Sequence, residues 1–395
     1  MNHGQDVVVV GAARTPQGKL MGQLAALSAV ELGGAAIAGA LDKAGIAPDM
    51  VQVVIMGQVL QAGSGQNPAR QAAAAARIPL HAHATTVNKV CLSGLTAIIE
   101  ASRMLRLGEA ELVVAGGQES MSNAPHVLPG LRSGQLYGNS ILLDSAAHDG
   151  LTDAFEHESM GSVTDRTNER LRISRADQDA AAVASHQRAA AAQHDGRFQS
   201  EIIPVKVPQR RGEAVLATSD EGIRANTTIE VLGRLKPAFS PTGTVTAANA
   251  SPLTDGAAAV VLTTREYAET HGLEVLATVG TPGQVAGPDT SLADKPARAI
   301  TKALAGAGWN VEDLDFVEIN EAFASVALHS AANLNISMDR VNVNGGAIAL
   351  GHPLGASGAR VVVTAVHELL HRGHGKAAVA LCGGGGQGEA LLLSR

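Results

Sequence analysis

The chain has 395 residues, 45% of them apolar and 17% charged, which is long enough for two or three packed units and too apolar for a disordered protein. Aromatic residues make up only 2% and the net charge is −7, which argues against a basic or aromatic surface for nucleic acid. No stretch approaches the ~20 apolar residues of a membrane span, and Met1–Asp6 lacks the basic residues of a secretory signal. We therefore expect a cytoplasmic protein that binds neither nucleic acid nor membrane.

Strands and helices alternate in the first part of the chain, as in α/β proteins. Short apolar runs indicate buried strands, and apolar residues at helical spacing indicate helices; Gly45 and Pro48 end the first helix. In chain order the predicted elements are a strand at Asp6–Val10, a helix at Ser28–Lys43, strands at Val51–Ile55 and Thr85–Val90, a helix at Leu95–Leu105 and a strand at Glu111–Ala115.

A pattern in this part of the chain returns near the C-terminus. A Ser-Gly pair, an apolar helix, a glycine and a strand followed by Gly-Gly run through Ser93–Gly117, and the same order runs through Ser357–Gly384. In the second copy the helix is predicted at Val361–Leu370 and the strand at Ala377–Leu381. An internally duplicated α/β architecture is favoured, although ordinary β-α-β units also resemble one another.

A more polar region, roughly residues 122–244, separates the two copies. Pro, Gly, Asn and His are scattered through Met121–Gly150, and the region contains one convincing helix, Arg175–His194. Sheet-forming character resumes at Ala257–Leu262. The polar region is therefore predicted to be an insertion that covers a site on the α/β body.

The first of the two cysteines is a candidate nucleophile. Two cysteines do not make a disulfide framework, although a single buried bridge between them is an alternative. Cys91 lies between a predicted strand and a predicted helix, where the N–H groups and dipole of the helix N-terminus would stabilise a thiolate. A small buried cysteine is the other interpretation. The strand-Cys-Leu-Ser-Gly-helix context favours the nucleophile.

A histidine and an asparagine lie in similar settings. His352 is held in Gly351–Gly355, and a histidine can take the proton of a thiol near neutral pH. Asn320 follows the predicted strand Phe316–Ile319, and its amide could orient a water or an imidazole, or could cap a helix at Ala322–His329. Four other histidines are predicted on solvated helix faces: His186, His194, His367 and His371.

The second cysteine, Cys382, follows a strand and precedes four glycines, whose N–H groups can converge on a developing oxyanion. A flexible turn would explain the glycines but not a cysteine at this position. The chain has no Cys-x-x-Cys pair that would indicate a metal site, and Gly383–Gly388 lacks the residues of a P-loop or a dinucleotide fold. Two cysteines, a histidine and an asparagine together indicate covalent acyl transfer.

Several separated motifs together resemble the thiolase superfamily, specifically the acetyl-CoA acetyltransferases and 3-ketoacyl-CoA thiolases, and the resemblance runs essentially end to end. The motifs are Arg14–Lys19, Val87–Leu95, Asn320–Phe323, Asn342–Ala347, Gly351–Gly358 and Leu381–Gly385. The resemblance implies an α/β, thiolase-like fold, with two duplicated α/β halves in a five-layer α-β-α-β-α arrangement and an inserted loop domain. The implied boundaries are residues 1–121 with 245–270, 122–244 for the inserted domain, and 271–395.

The resemblance also implies roles for the candidate residues. Cys91 would attack an acyl thioester while His352 accepts its proton, and Cys382 would act as acid and base on the second substrate. Asn320 would hold a water that polarises the thioester oxygen together with His352. The backbone N–H groups of Cys91 and Gly384 would form a second oxyanion site. No metal, prosthetic group or other cofactor is implied.

Coenzyme A is placed on the inserted region by the same resemblance. The implied contacts are Leu151 and Met160 with the pantetheine arm, Arg224, Leu235 and Ser251 with the nucleotide end, and Phe323 with the substrate. Two positions depart from the usual pattern: Ser159 stands where many biosynthetic members have His, and Ala248 stands where Gly is usual. Both departures bear on substrate choice more than on reaction type.

The implied function is that of an acetyl-CoA C-acetyltransferase, which condenses two acetyl-CoA to acetoacetyl-CoA and CoA, or cleaves 3-ketoacyl-CoA, through an acyl-Cys91 intermediate. A broad-chain degradative 3-ketoacyl-CoA thiolase is the main rival. A ketoacyl synthase, a non-catalytic CoA or acyl-binding protein, and a Cys-His-Asn hydrolase are less favoured, and the hydrolase would have no use for Cys382. Family members form dimers or tetramers, so a homo-oligomer is expected, with Met121–Asp144 as the candidate tetramer contact.

Overall fold

The computed structural model describes residues 6–395; residues 1–5, on which the expectation about a secretory signal partly depends, lie outside the described part. The strands are β1 (Val7–Arg14), β2 (Gly18–Lys19), β3 (Val53–Gly57), β4 (His83–Val87), β5 (Leu112–Ser120), β6 (His126–Val127), β7 (Leu143–Asp144), β8 (Val205–Val207), β9 (Val215–Ala217), β10 (Thr254–Thr264), β11 (Ala277–Ala286), β12 (Phe316–Ile319), β13 (Lys376–Gly383) and β14 (Gln387–Ser394). The α-helices are α1 (Ala29–Ala44), α2 (Pro68–Ala75), α3 (Ser93–Leu107), α4 (Met160–Leu171), α5 (Arg175–His194), α6 (Ile229–Leu232), α7 (Arg265–Thr270), α8 (Lys295–Ala307), α9 (Ala324–Leu334), α10 (Ala347–Leu350) and α11 (Ser357–Arg372).

Ten strands form one mixed sheet in the order β12-β13-β14-β11-β1-β10-β5-β3-β4, with the short β2 paired to β10. The sheet divides into two halves where β1 meets β11, because only Val7–Val9 pair there with Ala277–Val279. The N-terminal half runs β1-β10-β5-β3-β4 and the C-terminal half runs β11-β14-β13-β12. In both halves the outer strands are parallel and the inner ones antiparallel. The duplicated α/β architecture is thereby confirmed.

Three apolar cores order the layers. Successive strand residues point to opposite faces, so Val7 and Val9 belong to a central core while Val8 and Val10 belong to an outer one. In the central core α3 and α11 pack between the two half-sheets. The outer faces are covered by α1 and α2 on one side and by α8 and α9 on the other. The result is the expected α-β-α-β-α arrangement, and strands buried on both faces explain the continuous apolar runs.

Some element ends follow directly from local chemistry. Before α1, the Ser28 hydroxyl accepts a hydrogen bond from the Glu31 N–H and the Glu31 carboxylate accepts one from the Ser28 N–H. The helix stops at Gly45, whose φ of 65° is the left-handed conformation that glycine adopts without strain. The helix predicted at Ser28–Lys43 is therefore confirmed within a residue.

Several predicted strand ends are wrong, and β1, predicted to end at Val10, runs on to Arg14. The strand predicted at Thr85–Val90 ends at Val87, and β5 does not stop at Ala115 but continues through Gly116 and Gly117 to Ser120. These glycines do not end the strand but allow other backbone segments to lie close to it. A Cβ on Gly116 would lie 2.2 Å from the Ala258 carbonyl oxygen. One on Gly117 would lie 2.0 Å from the carbonyl oxygen of Gly355. Only glycine lets that loop lie against the strand.

The segment between β5 and β10 carries two small hairpins, β6 with β7 and β8 with β9, and the helices α4, α5 and α6. Helix α5 has the predicted bounds. Its Ser185 hydroxyl donates to Glu321 Oε2 at 2.7 Å and accepts from the Gly346 N–H at 3.1 Å, which attaches the insertion to the C-terminal half. Within residues 6–395, no helix has the length and apolarity needed to cross a membrane.

A buried arginine attaches the insertion to the N-terminal half. Arg14, at the end of β1, is fully buried and donates to Glu201 Oε1 at 2.7 Å. It also makes a bidentate pair with both carboxylate oxygens of Asp220, at 2.7 and 2.9 Å. Planar guanidinium geometry suits such paired contacts. The first residue of the Arg14–Lys19 motif is therefore an anchor between the body and the insertion.

Candidate active site

The loop that presents Cys91 is a tight turn between β4 and α3. Asn88 Oδ1 accepts from the Val90 N–H at 3.0 Å, and Ser93 Oγ accepts from the Lys89 N–H at 2.8 Å. These side-chain contacts replace strand pairing, which is why β4 ends before the turn. Val90 has φ 49°, a conformation that is strained for a β-branched residue and typical of functional sites.

The environment of Cys91 differs from the expected one. Its side chain is half-buried at the wall of a cavity, and burial raises the pKa of its thiol to about 12. The N–H groups of Gly384 and of Cys91 itself lie near the sulfur and lower this pKa, while the Glu119 charge raises it further. The prediction that a helix N-terminus lowers this pKa is therefore wrong, because desolvation outweighs the N–H groups. Cys91 rests as a thiol and needs a base.

The candidate base is His352, in the loop between α10 and α11. Burial, and secondarily the positive charge of Arg360, lower the pKa of His352 to about 3, so the ring is neutral at pH 7 and can accept a proton. Nδ1 lies 2.5 Å from Ser357 Oγ, whose hydroxyl is also 2.8 Å from the Pro353 carbonyl oxygen. A hydroxyl that donates to Pro353 accepts from Nδ1–H, which leaves Nε2 as the base.

Burial disfavours the thiolate form of Cys91 and the imidazolium form of His352 when each is considered alone. A thiolate and an imidazolium formed together attract one another strongly at low dielectric, so transfer of the proton within the pair costs less than either separate ionisation. The arrangement therefore suits deprotonation of Cys91 in step with its attack.

Asn320 faces the histidine and does not cap a helix. Its Nδ2 lies 3.3 Å from Nδ1 and 3.5 Å from Nε2 of His352. Helix α9 begins at Ala324 with Phe323 as its N-cap residue, so the capping alternative is wrong. Asn320 is fully buried, and its Oδ1 accepts no hydrogen bond from residues 6–395. This oxygen is therefore a buried acceptor without a partner in the described chain, next to His352.

The second cysteine lies at the penultimate position of β13. Cys382 is buried, and desolvation, followed by proximity to Cys91, raises the pKa of its thiol. Both cysteines are free thiols, so the disulfide alternative is not realised. The glycines after it are required at close contacts: a Cβ on Gly386 would lie 2.0 Å from the carbonyl oxygen of Asp289.

One mainly apolar cavity of about 490 Å³ joins most of the predicted site residues. His352 and Cys382 line it together with Cys91 and Gly384, and Asn320 lies behind His352. The predicted substrate contacts that also line it are Leu151, Met160, Ser251 and Phe323.

Two predicted contacts, Arg224 and Leu235, lie outside the lining of this cavity, and both are exposed. The Arg224 N–H donates to His186 Nδ1 at 3.2 Å. His186 is buried and not solvated as predicted, and burial lowers its pKa to about 4, so it is a neutral acceptor at pH 7. A helical-face pattern did not indicate that the loop of Arg224 would cover this histidine.

Several lining residues were missed from the sequence: Val90, Phe239, Leu253, Leu292, Ala322 and Leu354. Phe239 carried a usable signal, because the chain has only 5 phenylalanines and this one stands in the polar insertion. Its ring packs against α4, where a Cβ on Gly161 would lie 2.2 Å from it. The aliphatic residues carried no signal, since apolar positions occur throughout the chain.

The two departures from the family pattern have local explanations. Ser159 lines the cavity and caps α4 by accepting from the Ser162 N–H at 3.1 Å. Ala248 is buried in the turn where Asn249 Oδ1 accepts from the Thr246 N–H at 2.8 Å. In the described part of the chain, no cluster of three or more His, Cys, Asp or Glu side chains has the arrangement of a metal site.

Comparison with known proteins agrees with this geometry. The profile described as "Thiolase, N-terminal domain" matches residues 7–266, and the one described as "Thiolase, C-terminal domain" matches residues 273–395. A Mycolicibacterium smegmatis protein named "Probable acetyl-CoA acetyltransferase" is 54% identical over 388 residues, covering 98% of this chain and 100% of that protein. The acetyl-CoA acetyltransferase of Pseudomonas aeruginosa is 50% identical over 391 residues, covering 99% and 100%.

A solved structure extends the likeness to three dimensions. The crystal structure of the Bacillus anthracis acetyl-CoA acetyltransferase matches with a TM-score of 0.97 at 38% identity, over 100% of both chains. The two profiles cover nearly the whole chain, and the likeness includes both halves of the sheet and the insertion between them. The chain therefore belongs to the thiolase family.

Proposed function

We propose that the protein is an acetyl-CoA C-acetyltransferase that exchanges acyl groups between CoA thioesters by a reversible Claisen reaction. The observation that carries the proposal is the convergence of two thiols and a neutral imidazole on one apolar cavity. Cys91, Cys382 and His352 line it, and the N–H groups of Cys91 and Gly384 lie near the Cys91 sulfur. The names of relatives at 50% and 54% identity support the same activity.

In the cleavage direction, Cys91 gives its proton to His352 and its sulfur attacks the 3-keto carbonyl. The bond between C2 and C3 then breaks, and its electron pair remains on C2 of the leaving acetyl-CoA. Cys382 protonates that carbon, for which a thiol kept protonated by burial is suited. Free CoA gives its proton to Cys382 and attacks the acyl-Cys91 thioester, and Cys91 recovers its proton from His352. Condensation is the reverse sequence.

Negative charge develops on two thioester oxygens during these steps. The N–H groups of Cys91 and Gly384 would hold the oxygen of the group attached to Cys91. His352, with a water held by the free Oδ1 of Asn320, would hold the oxygen of the second thioester. Each preorganised donor of this kind lowers the barrier by ~3 kcal/mol in comparable sites.

In our proposal the inserted region is residues 122–244, and the two halves are residues 1–121 with 245–270 and residues 271–395. The inserted region binds coenzyme A together with the ends of the two halves. Leu151 and Met160 would contact the pantetheine arm where they line the cavity. Arg224 and Leu235 would contact the nucleotide, and their exposure outside the cavity suits the polar end of the ligand. CoA and acyl-CoA act as substrates, and no further cofactor is proposed.

The test is CoA-dependent loss of acetoacetyl-CoA absorbance, run beside a longer 3-ketoacyl-CoA. Cleavage of acetoacetyl-CoA with little of the longer substrate is expected of an acetyl-CoA acetyltransferase. Comparable cleavage of both would favour a broad-chain degradative thiolase, which the apolar lining of the cavity permits. Cleavage of neither by folded protein with both thiols free would contradict the proposal.

We also propose a homotetramer. The hairpin β6–β7 and the loop between its strands expose a set of large apolar side chains, which a monomer would not favour. These are Leu131, Leu136, Tyr137, Ile141 and Leu142. Light scattering should give four times the chain mass, and Leu136→Asp with Tyr137→Asp should reduce the measured mass to twice the chain mass.

A cytoplasmic location is proposed because the reaction needs both thiols reduced.

A further inference from the structure

A buried carboxylate beside the active site has no part in the chemistry above. Glu119 lies near the end of β5 and is fully buried. Its Oε2 accepts from the Val59 N–H at 3.0 Å and from the Gly355 N–H at 2.8 Å. Its Oε1 accepts from the Leu60 N–H at 3.1 Å. One side chain therefore binds three backbone N–H groups that belong to two separate loops.

One of these loops lines the active-site cavity, and the other packs behind Cys91. Val59 and Leu60 pack in one apolar cluster with Leu354, and Cys91 packs against that cluster. Gly355 lies three residues after His352 in the same loop. Glu119 thus connects the surface behind the nucleophile to the loop that carries the base.

The fit is specific for a full-length carboxylate. A Cβ on Gly355 would lie 2.9 Å from Glu119 Oε2 and 2.7 Å from the Gln58 Cα, so the loop has no room to move closer. Three N–H donors require acceptors on both carboxylate oxygens. A glutamine presents an NH₂ group to at least one of them, and an aspartate is one methylene too short to reach both loops.

We propose that Glu119 is a positioning residue for acyl transfer, which holds the His352 loop in register with Cys91 through the Val59, Leu60 and Gly355 N–H groups. The effect expected on turnover rests on the proposed function, whereas the positioning of the two loops rests on the contacts alone. A displacement of about 1 Å between reacting groups can cost about 10²-fold in rate, so one carboxylate at this junction can control turnover.

Glu119 also acts on Cys91 electrostatically. Its negative charge raises the pKa of Cys91, and burial raises the pKa of Glu119 itself to about 7. The other charged group that faces it is Asp255 on β10, which raises it further, while the three loop N–H groups lower it. Removal of the Glu119 charge should therefore lower the pKa of Cys91.

The test compares Glu119→Gln with Glu368→Gln in the full-length enzyme. Glu368 is the control, because it is a buried carboxylate that also has three hydrogen-bond donors, here the side chains of Arg197, Asn344 and Arg372, but lies outside the cavity. We expect Glu119→Gln to lower kcat for acetoacetyl-CoA cleavage about 10²-fold while KM changes by less than about threefold. Glu368→Gln should keep kcat within about threefold at a similar loss in Tm.

Alkylation of Cys91 by iodoacetamide supplies a readout that needs no turnover. Its pH midpoint should fall in Glu119→Gln and not in Glu368→Gln. Glu119→Asp, which restores the charge, should return the midpoint toward that of the wild type with an intermediate kcat. If the wild type fails to cleave acetoacetyl-CoA, the proposed function fails, whereas the alkylation shift still tests the link between Glu119 and Cys91.

Three results would overturn the proposal. The first is a kcat for Glu119→Gln within about threefold of the wild type. The second is an equal loss of kcat in Glu368→Gln, because that loss would reflect destabilisation alone. The third is failure of both Glu119→Gln and Glu119→Asp to fold, which would assign the residue to the stability of the fold and not to catalysis.

Discussion

Two residues of the same type occupy one cavity with different partners. The N–H groups of Gly384 and of the Cys91 backbone lie near the Cys91 sulfur, which suits the atom that carries an acyl group. Cys382 is more deeply buried at the end of a strand, which suits a proton donor that stays protonated. The different roles that we propose for them rest on these surroundings and not on the thiol itself.

Serine substitution should separate the two roles. With acetyl-CoA, Cys91→Ser should form no acetyl adduct, because a serine hydroxyl is a poor nucleophile beside an uncharged base. Cys382→Ser should form the adduct on Cys91 but lose about 10²–10⁴-fold in turnover. Intact-protein mass spectrometry after a short incubation measures both. A full adduct in Cys91→Ser, or none in Cys382→Ser, would reverse the assignment.

Asn320→Ala tests the polar group behind the histidine. The loss of one oxyanion-supporting amide should lower kcat about 10²-fold. The Tm should fall little, because the side chain neither caps α9 nor pairs its Oδ1 with residues of the described chain. Asn249→Ala is a suitable contrast, since the Asn249 side-chain amide forms hydrogen bonds with Asp179 and with two backbone groups. Its loss should reduce Tm. A large loss of Tm in Asn320→Ala with unchanged kcat would indicate a structural role only.

At the scale of elements, local sequence predicted what local chemistry controls. The Ser28 cap, the Gly45 stop and the β12 bounds depend on neighbours within a few residues, so they could be predicted. The end of β4 was missed although its cause is also local, because Asn88 and Ser93 form a turn there in place of strand pairing. The passage of β5 through Gly117 could not be predicted, because it is required by Gly355, a residue more than 200 positions away.

The junction between β1 and the insertion gives a test at this scale. Arg14→Met would leave Glu201 and Asp220 buried without their cation, which costs about 3–5 kcal/mol in buried ion pairs. Arg166→Met, which breaks the exposed pairs of this α4 residue with Glu156 and Glu158, should cost less than about 1 kcal/mol. Urea unfolding measures both, and limited proteolysis should cut residues 195–225 faster in Arg14→Met. Equal stability of the two variants would contradict the anchor.

The whole molecule carries buried acids and buried histidines whose pKa shifts act in opposite directions on stability. Burial raises the pKa of Glu318 to about 8 and of Glu119 to about 7, so their stabilising contribution is present at low pH and is lost as pH rises through those values. Burial lowers the pKa of His186 and His352, whose contribution is present above pH 6.5 and is lost as pH falls. Of these four groups, only the two acids change protonation between pH 6.5 and 8.

The free energy of unfolding should therefore fall between pH 6.5 and 8, by about 1–2 kcal/mol. Glu318→Gln, which imitates the protonated acid, should flatten this decline. Urea titrations at pH 6.5, 7.2 and 8 measure the slope in both proteins. A slope that is unchanged by the substitution would mean that Glu318 is ionised throughout this range beside Arg360.

The sequence by itself determined the duplicated α/β order and the family, and it supplied the side chains that we propose to react, because these depend on local propensity and on short motifs. Only the tertiary structure decided that Cys91 rests as a thiol, that His186 is buried and that Glu119 connects two loops of the site. The physical reason is that desolvation and charge at one atom are summed over neighbours from distant parts of the chain. A motif specifies which group is present, whereas the packed surroundings determine its protonation and its geometry.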